Sequence, residues 1–197
     1  QGTKDRKGLS FLLKSYCEEF NNNDNVKLIV KINNAYGMSP ELMQRNLSEL
    51  KIQNKQAGKV EFIMNNVPYN ELVNLYHKAD VYVMSSLAES FGIPGLEAQA
   101  CRIPVLATDF GGQTDYVTEE NGWLLKEGKM IKVDWDIMYE EVSWKLPNVD
   151  EMRRVLREIY IHRDDIKVKA DKSFENSKLF SWDNSAKKLL DIIKQSQ

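Results

Sequence analysis

The amino-acid sequence predicts an α/β domain, a doubly wound parallel sheet flanked by helices, with a helical C-terminal end. Three observations carry that expectation. Short apolar runs rich in β-branched residues alternate with longer stretches of helical period, the rhythm of βαβ units with right-handed crossovers. The chain has 197 residues, 42% of them hydrophobic, enough for one core that buries ~70% of the unfolded surface. Beyond Asn148 only helical periods recur.

In order, Leu9, Leu12, Leu13, Tyr16, Cys17 and Phe20 mark the apolar face of a helix over 9–20. A strand over 26–33 follows, then a helix from Pro40 to about Lys55 and a strand over 60–64. A helix over 69–78 precedes the apolar run 80–84, read as a buried strand. Next comes a helix over 94–101 with Pro94 at its first position, and a strand over 103–108. From Lys126 to Trp144 the rhythm breaks, and an irregular excursion is expected. Helices over 149–162, 167–178 and 183–195 end the chain, the last with Ala186, Leu189, Leu190 and Ile193 on one face. This makes a single domain over 1–197, a Rossmann-like core over about 1–147 followed by C-terminal helices over 148–197.

A formal net charge of −2 leaves no global basic field, so nucleic acid is not an expected partner and an anionic ligand must be held by local groups. No apolar run reaches the roughly 18 residues that span a bilayer, and nothing at the start resembles a signal peptide. A soluble, cytoplasmic protein is expected, with the full-length protein able to sit at a membrane surface. Cys17 and Cys101 fall on apolar helix faces without metal-ligand spacing and read as small hydrophobes.

Between the strand at 80–84 and the helix at 94–101 stands Glu89-Ser90-Phe91-Gly92-Ile93-Pro94-Gly95-Leu96-Glu97. At such a junction free backbone N–H groups and the positive end of the helix dipole form an anion site, and Gly92 and Gly95 let a phosphate approach the backbone. A diphosphate is the natural ligand. Glu97, expected in the first helical turn, would compete with that phosphate for the dipole and should point aside. An ionised carboxylate only accepts hydrogen bonds, which suits the hydroxyls of a ribose. The plainer reading has Glu97 complementing the helix N-terminus, worth about 0.3–1 kcal/mol, and Glu89 as a solvated loop residue. Asn33, Asn65, Ser85, Ser86 and Thr108 fall at carboxyl ends of strands, where such sheets bind ligands. Asn65 and Val67 would border a nucleotide base, or form an ordinary Asn-rich turn before Pro68.

Taken in order, Glu89-x(7)-Glu97 with Ser-Phe-Gly-Ile-Pro-Gly between, Pro104-Val105-Leu106-Ala107-Thr108, Gly111-Gly112-Gln113-Thr114-Asp115 and Asn121-Gly122-Trp123-Leu124-Leu125 resemble the C-terminal half of glycosyltransferase family 4 enzymes of GT-B fold. Asp5-Arg6-Lys7-Gly8 is similar to the family's Arg-Lys-Gly start of the first helix, and Phe180-Ser181-Trp182 to the Trp that opens its last one. The resemblance implies a retaining glycosyltransferase domain that binds a nucleoside diphosphate sugar as donor. Glu97 would hold the ribose and Glu89 the hydroxyls of the donor sugar. The turn of Ser90, Phe91, Gly92, Ile93, Pro94 and Gly95 would meet the distal phosphate, and Lys7 would neutralise the leaving diphosphate.

The family's arginine a few residues before this lysine has no counterpart in Gln1-Gly2-Thr3-Lys4, and Lys4 is the candidate to replace it. Arg6 is a poor one, because neighbours on an extended segment face opposite sides. An upstream acceptor domain is expected to bring a carbohydrate, lipid or protein acceptor. Alternatives are a nucleotide-binding module or pseudoenzyme, and an epimerase or phosphorylase of the same fold.

No metal or other cofactor is expected, since the helix N-terminus and Lys7 supply positive charge. Asp134-Trp135-Asp136 matches a D-x-D metal motif but falls in the irregular stretch and reads as a solvated loop. His77 reads as a surface or packing residue and His162 as a helix cap. Trp123, Trp144 and Trp182 read as packing anchors, and Tyr76 and Met84 as core.

Overall fold

The computed structural model describes residues 5–32, 48, 54–133 and 142–196. The predicted helix from Pro40 to about Lys55 lies outside them apart from Ser48, Asn54 and Lys55, and so do Lys4, Asn33 and Asp134-Trp135-Asp136. Helix α1 is Leu9–Glu19, β1 Lys27–Lys31, β2 Lys59–Ile63, α2 Tyr69–His77, β3 Tyr82–Met84, α3 Ile93–Ala100, β4 Val105–Thr108 and β5 Gly122–Leu125. Strands β6, Gly128–Lys132, and β7, Ser143–Pro147, follow, then α4, Val149–Ile161, α5, Arg163–Ser177, and α6, Trp182–Gln195.

The strands of the core are parallel, as expected: β1 pairs with β2, and β4 lies between β3 and β5. The two-residue alternation along these strands explains why helices cover both faces. Met84, Val105 and Ala107 point into a cluster with Tyr76 of α2, Ala98 of α3 and Tyr116. Val83, Leu106 and Leu125 point the other way, to Leu12 of α1 and Met152, Val155 and Ile159 of α4. Leu106 and Leu125 are fully buried, each worth about 1.5–3 kcal/mol relative to exposure. Asn148 caps α4 by accepting from the amides of Asp150 and Glu151. The Glu151 carboxylate accepts from the amides of Lys126 and Glu127, which ties α4 to the end of β5.

Three expectations are corrected. The stretch 126–144 is not irregular throughout: β6 and β7 form an antiparallel pair, with Ile131 opposite Trp144. Its first strand is exposed at four of five positions, so it shows no apolar alternation to read. Gly122–Leu125 is a strand that the sequence reading left out. Trp182 is no packing anchor, since it is 87% exposed at the start of α6, whose apolar residues are all uncovered. Trp144 is buried against Leu87 and Val133, as an anchor should be. His162 is the C-cap of α4, as expected, with its backbone N–H donating to the Glu158 carbonyl at 2.9 Å, and at the start of α5 its side chain makes no capping bond. No helix among the described residues is long and apolar enough to cross a membrane.

Candidate functional site

Two buried serines, Ser85 and Ser86, follow strand β3, and the chain then turns through Glu89–Gly92 into α3. Gly92 is the N-cap of α3 at φ 81°, a left-handed conformation that a side chain would strain. Tyr116 lies beneath, fully buried, and its hydroxyl donates to the Gly92 carbonyl at 2.5 Å. A Cβ on Gly95 would stand 2.6 Å from that same hydroxyl. Both glycines are therefore needed for close packing as well as for backbone approach from above. Among the described residues the amides of Ser90, Phe91 and Gly92 find no acceptor, and the first turn of α3 holds no acidic residue. The positive end of the helix is thus uncompensated, the electrostatic condition for binding an anion.

Glu97 opens the second turn of α3 rather than lying in the first, because the helix begins at Ile93. Dipole effects fade within the first turn, so the reading of Glu97 as a dipole complement loses its ground. Its carboxylate is half-buried and accepts from the Tyr76 hydroxyl of α2 at 3.1 Å.

Glu89 is held from three sides. Lys7 donates to Oε1, Ser86 Oγ donates to the same oxygen at 2.9 Å, and Arg6 Nη1 lies 3.5 Å from Oε2. Arg6 also donates to the Ala88 carbonyl at 2.9 Å. The expected divergence of Arg6 and Lys7 is therefore wrong. Residues 5–8 form a turn, closed by Gly8 N–H to Asp5 O at 2.9 Å, and not an extended segment, so both cations face one carboxylate. Gly8 at φ 68° packs so tightly on the Ser85 carbonyl that a Cβ would overlap it. Burial of Glu89 works to raise its pKa. The hydrogen bond and charge of Lys7, with Ser86 and Arg6, outweigh burial and hold the carboxyl below the usual glutamate range.

Sequence reasoning missed the residues that fix this geometry from behind. The Gly112 amide donates to the Glu89 carbonyl at 2.9 Å, and a Cβ on Gly112 would overlap the Ser90 carbonyl. The Gly-Gly pair was legible as a motif, but not as the clamp on the Glu89 turn. Tyr76 and Met84 are core as expected; the bond from Tyr76 to Glu97 carried no sequence signal. Asn65 and Val67 follow β2 and line a hollow of about 330 Å³ with Glu71, Asn74 and Lys78; none of residues 89–95 lines it. The structure thus joins Lys7 to Glu89 and places Glu97 along α3 from the turn, while Asn65 and Val67 line the hollow beside α2. Among the described residues no three His, Cys, Asp or Glu side chains cluster as metal ligands would.

Residues 4–139 match the family model described as "Glycosyl transferases group 1", and the chain belongs to that family. It is similar to a D-inositol 3-phosphate glycosyltransferase of Corynebacterium urealyticum, 31% identical over 155 residues, which are 79% of this chain and 31% of that protein. The chain thus spans about a third of that relative's length. Among solved structures, the C-terminal domain of a glycosyl transferase group 1 family protein, LpcC, of Francisella tularensis superposes with TM-score 0.61 at 19% identity, over 88% of this chain and 78% of that one. Anabaena HepE in complex with UDP-glucose gives TM-score 0.68 at 16% identity, over 96% of this chain and 46% of that one. The fold is that of the C-terminal half of GT-B glycosyltransferases.

Proposed function

We propose that this chain binds a nucleoside diphosphate sugar and, within a whole enzyme, serves transfer of the sugar to a carbohydrate, lipid or protein acceptor with retention at the anomeric carbon. One observation carries the reading: the uncompensated N-terminus of α3, with free amides at 90–92, lies between two carboxylates that are each fixed by hydrogen bonds. The complex of HepE with UDP-glucose, in a protein of the same fold, supports it.

In this reading the free amides of Ser90, Phe91 and Gly92, in the turn that runs on to Gly95, meet the distal phosphate, Glu97 takes the ribose hydroxyls, and Glu89 takes hydroxyls of the sugar. As the bond from the anomeric carbon to the diphosphate oxygen breaks, its electron pair leaves with the diphosphate. Lys7 and the amides stabilise the charge that develops there, an effect worth up to about 3–4 kcal/mol for one good donor. An ammonium has three donors, so Lys7 can keep its bond to Glu89 and give another to phosphate. Helix end and lysine together supply the positive charge, and no metal is invoked. Asn65 and Val67 would border the base, and Lys4 would supply a further cation.

Transfer requires that an acceptor be held against the donor, a proximity term of roughly 7–11 kcal/mol. An upstream acceptor domain is assigned that task, so the 197-residue chain alone binds donor without measurable transfer. Calorimetric titration with a panel of nucleoside diphosphates and their sugars tests the reading, and failure of every member to bind would sink it. The anomeric configuration of the product made by the full-length enzyme, read by NMR coupling constants, tests retention.

A further inference from the structure

Tyr76 is buried on α2, yet its hydroxyl reaches across to Glu97 Oε2 on α3 at 3.1 Å. Its ring is fixed: it meets Tyr82 edge-on at 5.7 Å between centroids and packs in the cluster that holds Met84, Ala98 and Ile103. Burial, then the neighbouring Tyr82 and Glu97, push the phenol far above its ordinary pKa, so it stays a donor at physiological pH. A glutamate on a half-exposed helix face otherwise samples several rotamers and loses that freedom on binding. A donor on a rigid ring selects one orientation beforehand. It occupies one acceptor site of Oε2 and leaves Oε1 whole, so three acceptor sites remain for a pair of ligand hydroxyls.

We propose that Tyr76 is a positioning residue, which presets the Glu97 carboxylate to accept the two ribose hydroxyls of the donor without itself touching the ligand. The inference rests on the assignment of Glu97 to the ribose, and it predicts an effect confined to ligands that carry a ribose. Tyr76→Phe removes the hydroxyl and keeps the ring, so the packing survives.

The test is calorimetry on wild type, Tyr76→Phe, Glu97→Ala and the double variant, with the tightest nucleoside diphosphate, its 2′,3′-dideoxy analogue and inorganic diphosphate. Tyr76→Phe is expected to weaken the nucleoside diphosphate about three- to tenfold, the range for one ordinary hydrogen bond, since the bond acts on the ligand only through Glu97. It should leave the dideoxy analogue and inorganic diphosphate unchanged, and add nothing in the Glu97→Ala background. An equal loss for all three ligands would make Tyr76 a general packing residue and overturn the inference. A loss in Glu97→Ala with none in Tyr76→Phe would overturn it while leaving the ribose assignment intact. Full affinity in Glu97→Ala would remove the assignment itself, and the inference with it.

Discussion

The carbonyl oxygen of Gly92 accepts its hydrogen bond from Tyr116, a residue 24 positions further along the chain, at 2.5 Å. One buried phenol therefore supports the turn that opens α3. The Phe91 ring lies over it at 5.3 Å between centroids. Removal of the hydroxyl in Tyr116→Phe takes away one of two donors to the buried Gly92 carbonyl, which keeps the Gly95 amide at 2.9 Å, at a cost of about 0.5–1.5 kcal/mol. Urea denaturation is the check. An unchanged midpoint would show that the turn is held without this bond.

At Gly92 the backbone itself sets the requirement. Gly92→Ala places a Cβ at φ 81° and 2.9 Å from the Tyr116 hydroxyl, and the left-handed conformation alone costs roughly 1–2 kcal/mol. The variant should unfold at lower urea and bind nucleoside diphosphate more weakly than its stability loss accounts for. Wild-type affinity in the folded variant would mean that the turn does not meet the phosphate.

Glu89 and the nucleotide are separable by ligand. A residue that touches only the sugar matters to the whole donor and not to the free nucleoside diphosphate, so Glu89→Ala should weaken the first by about 1.5–3 kcal/mol and spare the second. Equal losses for both ligands would move Glu89 to the nucleotide, and no loss for either would return it to a purely structural role with Lys7.

The same residue gives a pH signature. The folded carboxyl is depressed, with burial opposing and Lys7, Ser86 and Arg6 prevailing. Such a group contributes stability in full above its unfolded pKa, the usual glutamate value of about 4.3, and loses it as pH falls through the folded value. The stability difference between wild type and Glu89→Gln should therefore be constant above about pH 5 and close progressively below ~4. Denaturation midpoints measured across that range decide it; a gap that persists at the acid end would mean that Lys7 does not stabilise the ionised form.

How much of this was legible in the chain depends on how local the signal is. The elements of the parallel core were readable because apolar alternation and helical spacing are properties of a few consecutive residues, as in Val105–Thr108 with its fully buried pattern. The turn at 89–97 and the Gly-Gly pair were readable as residue types in order. Strand β6 was not, because an exposed edge carries no apolar period. Trp182 misled, since a large ring predicts burial only where something covers it.

By itself, then, the sequence determined the α/β alternation, the order of motifs that mark the family, and the glycines at 92 and 95 that the turn into α3 needs. Only the tertiary structure decided that Arg6 and Lys7 converge on one carboxylate 82 positions from Lys7, that Gly112 holds the Glu89 carbonyl, and that Tyr76 meets Glu97. These contacts depend on the path of the backbone between distant segments. A tight turn at Asp5–Gly8 reverses which side a side chain faces, and no periodicity within either segment records where the other will lie.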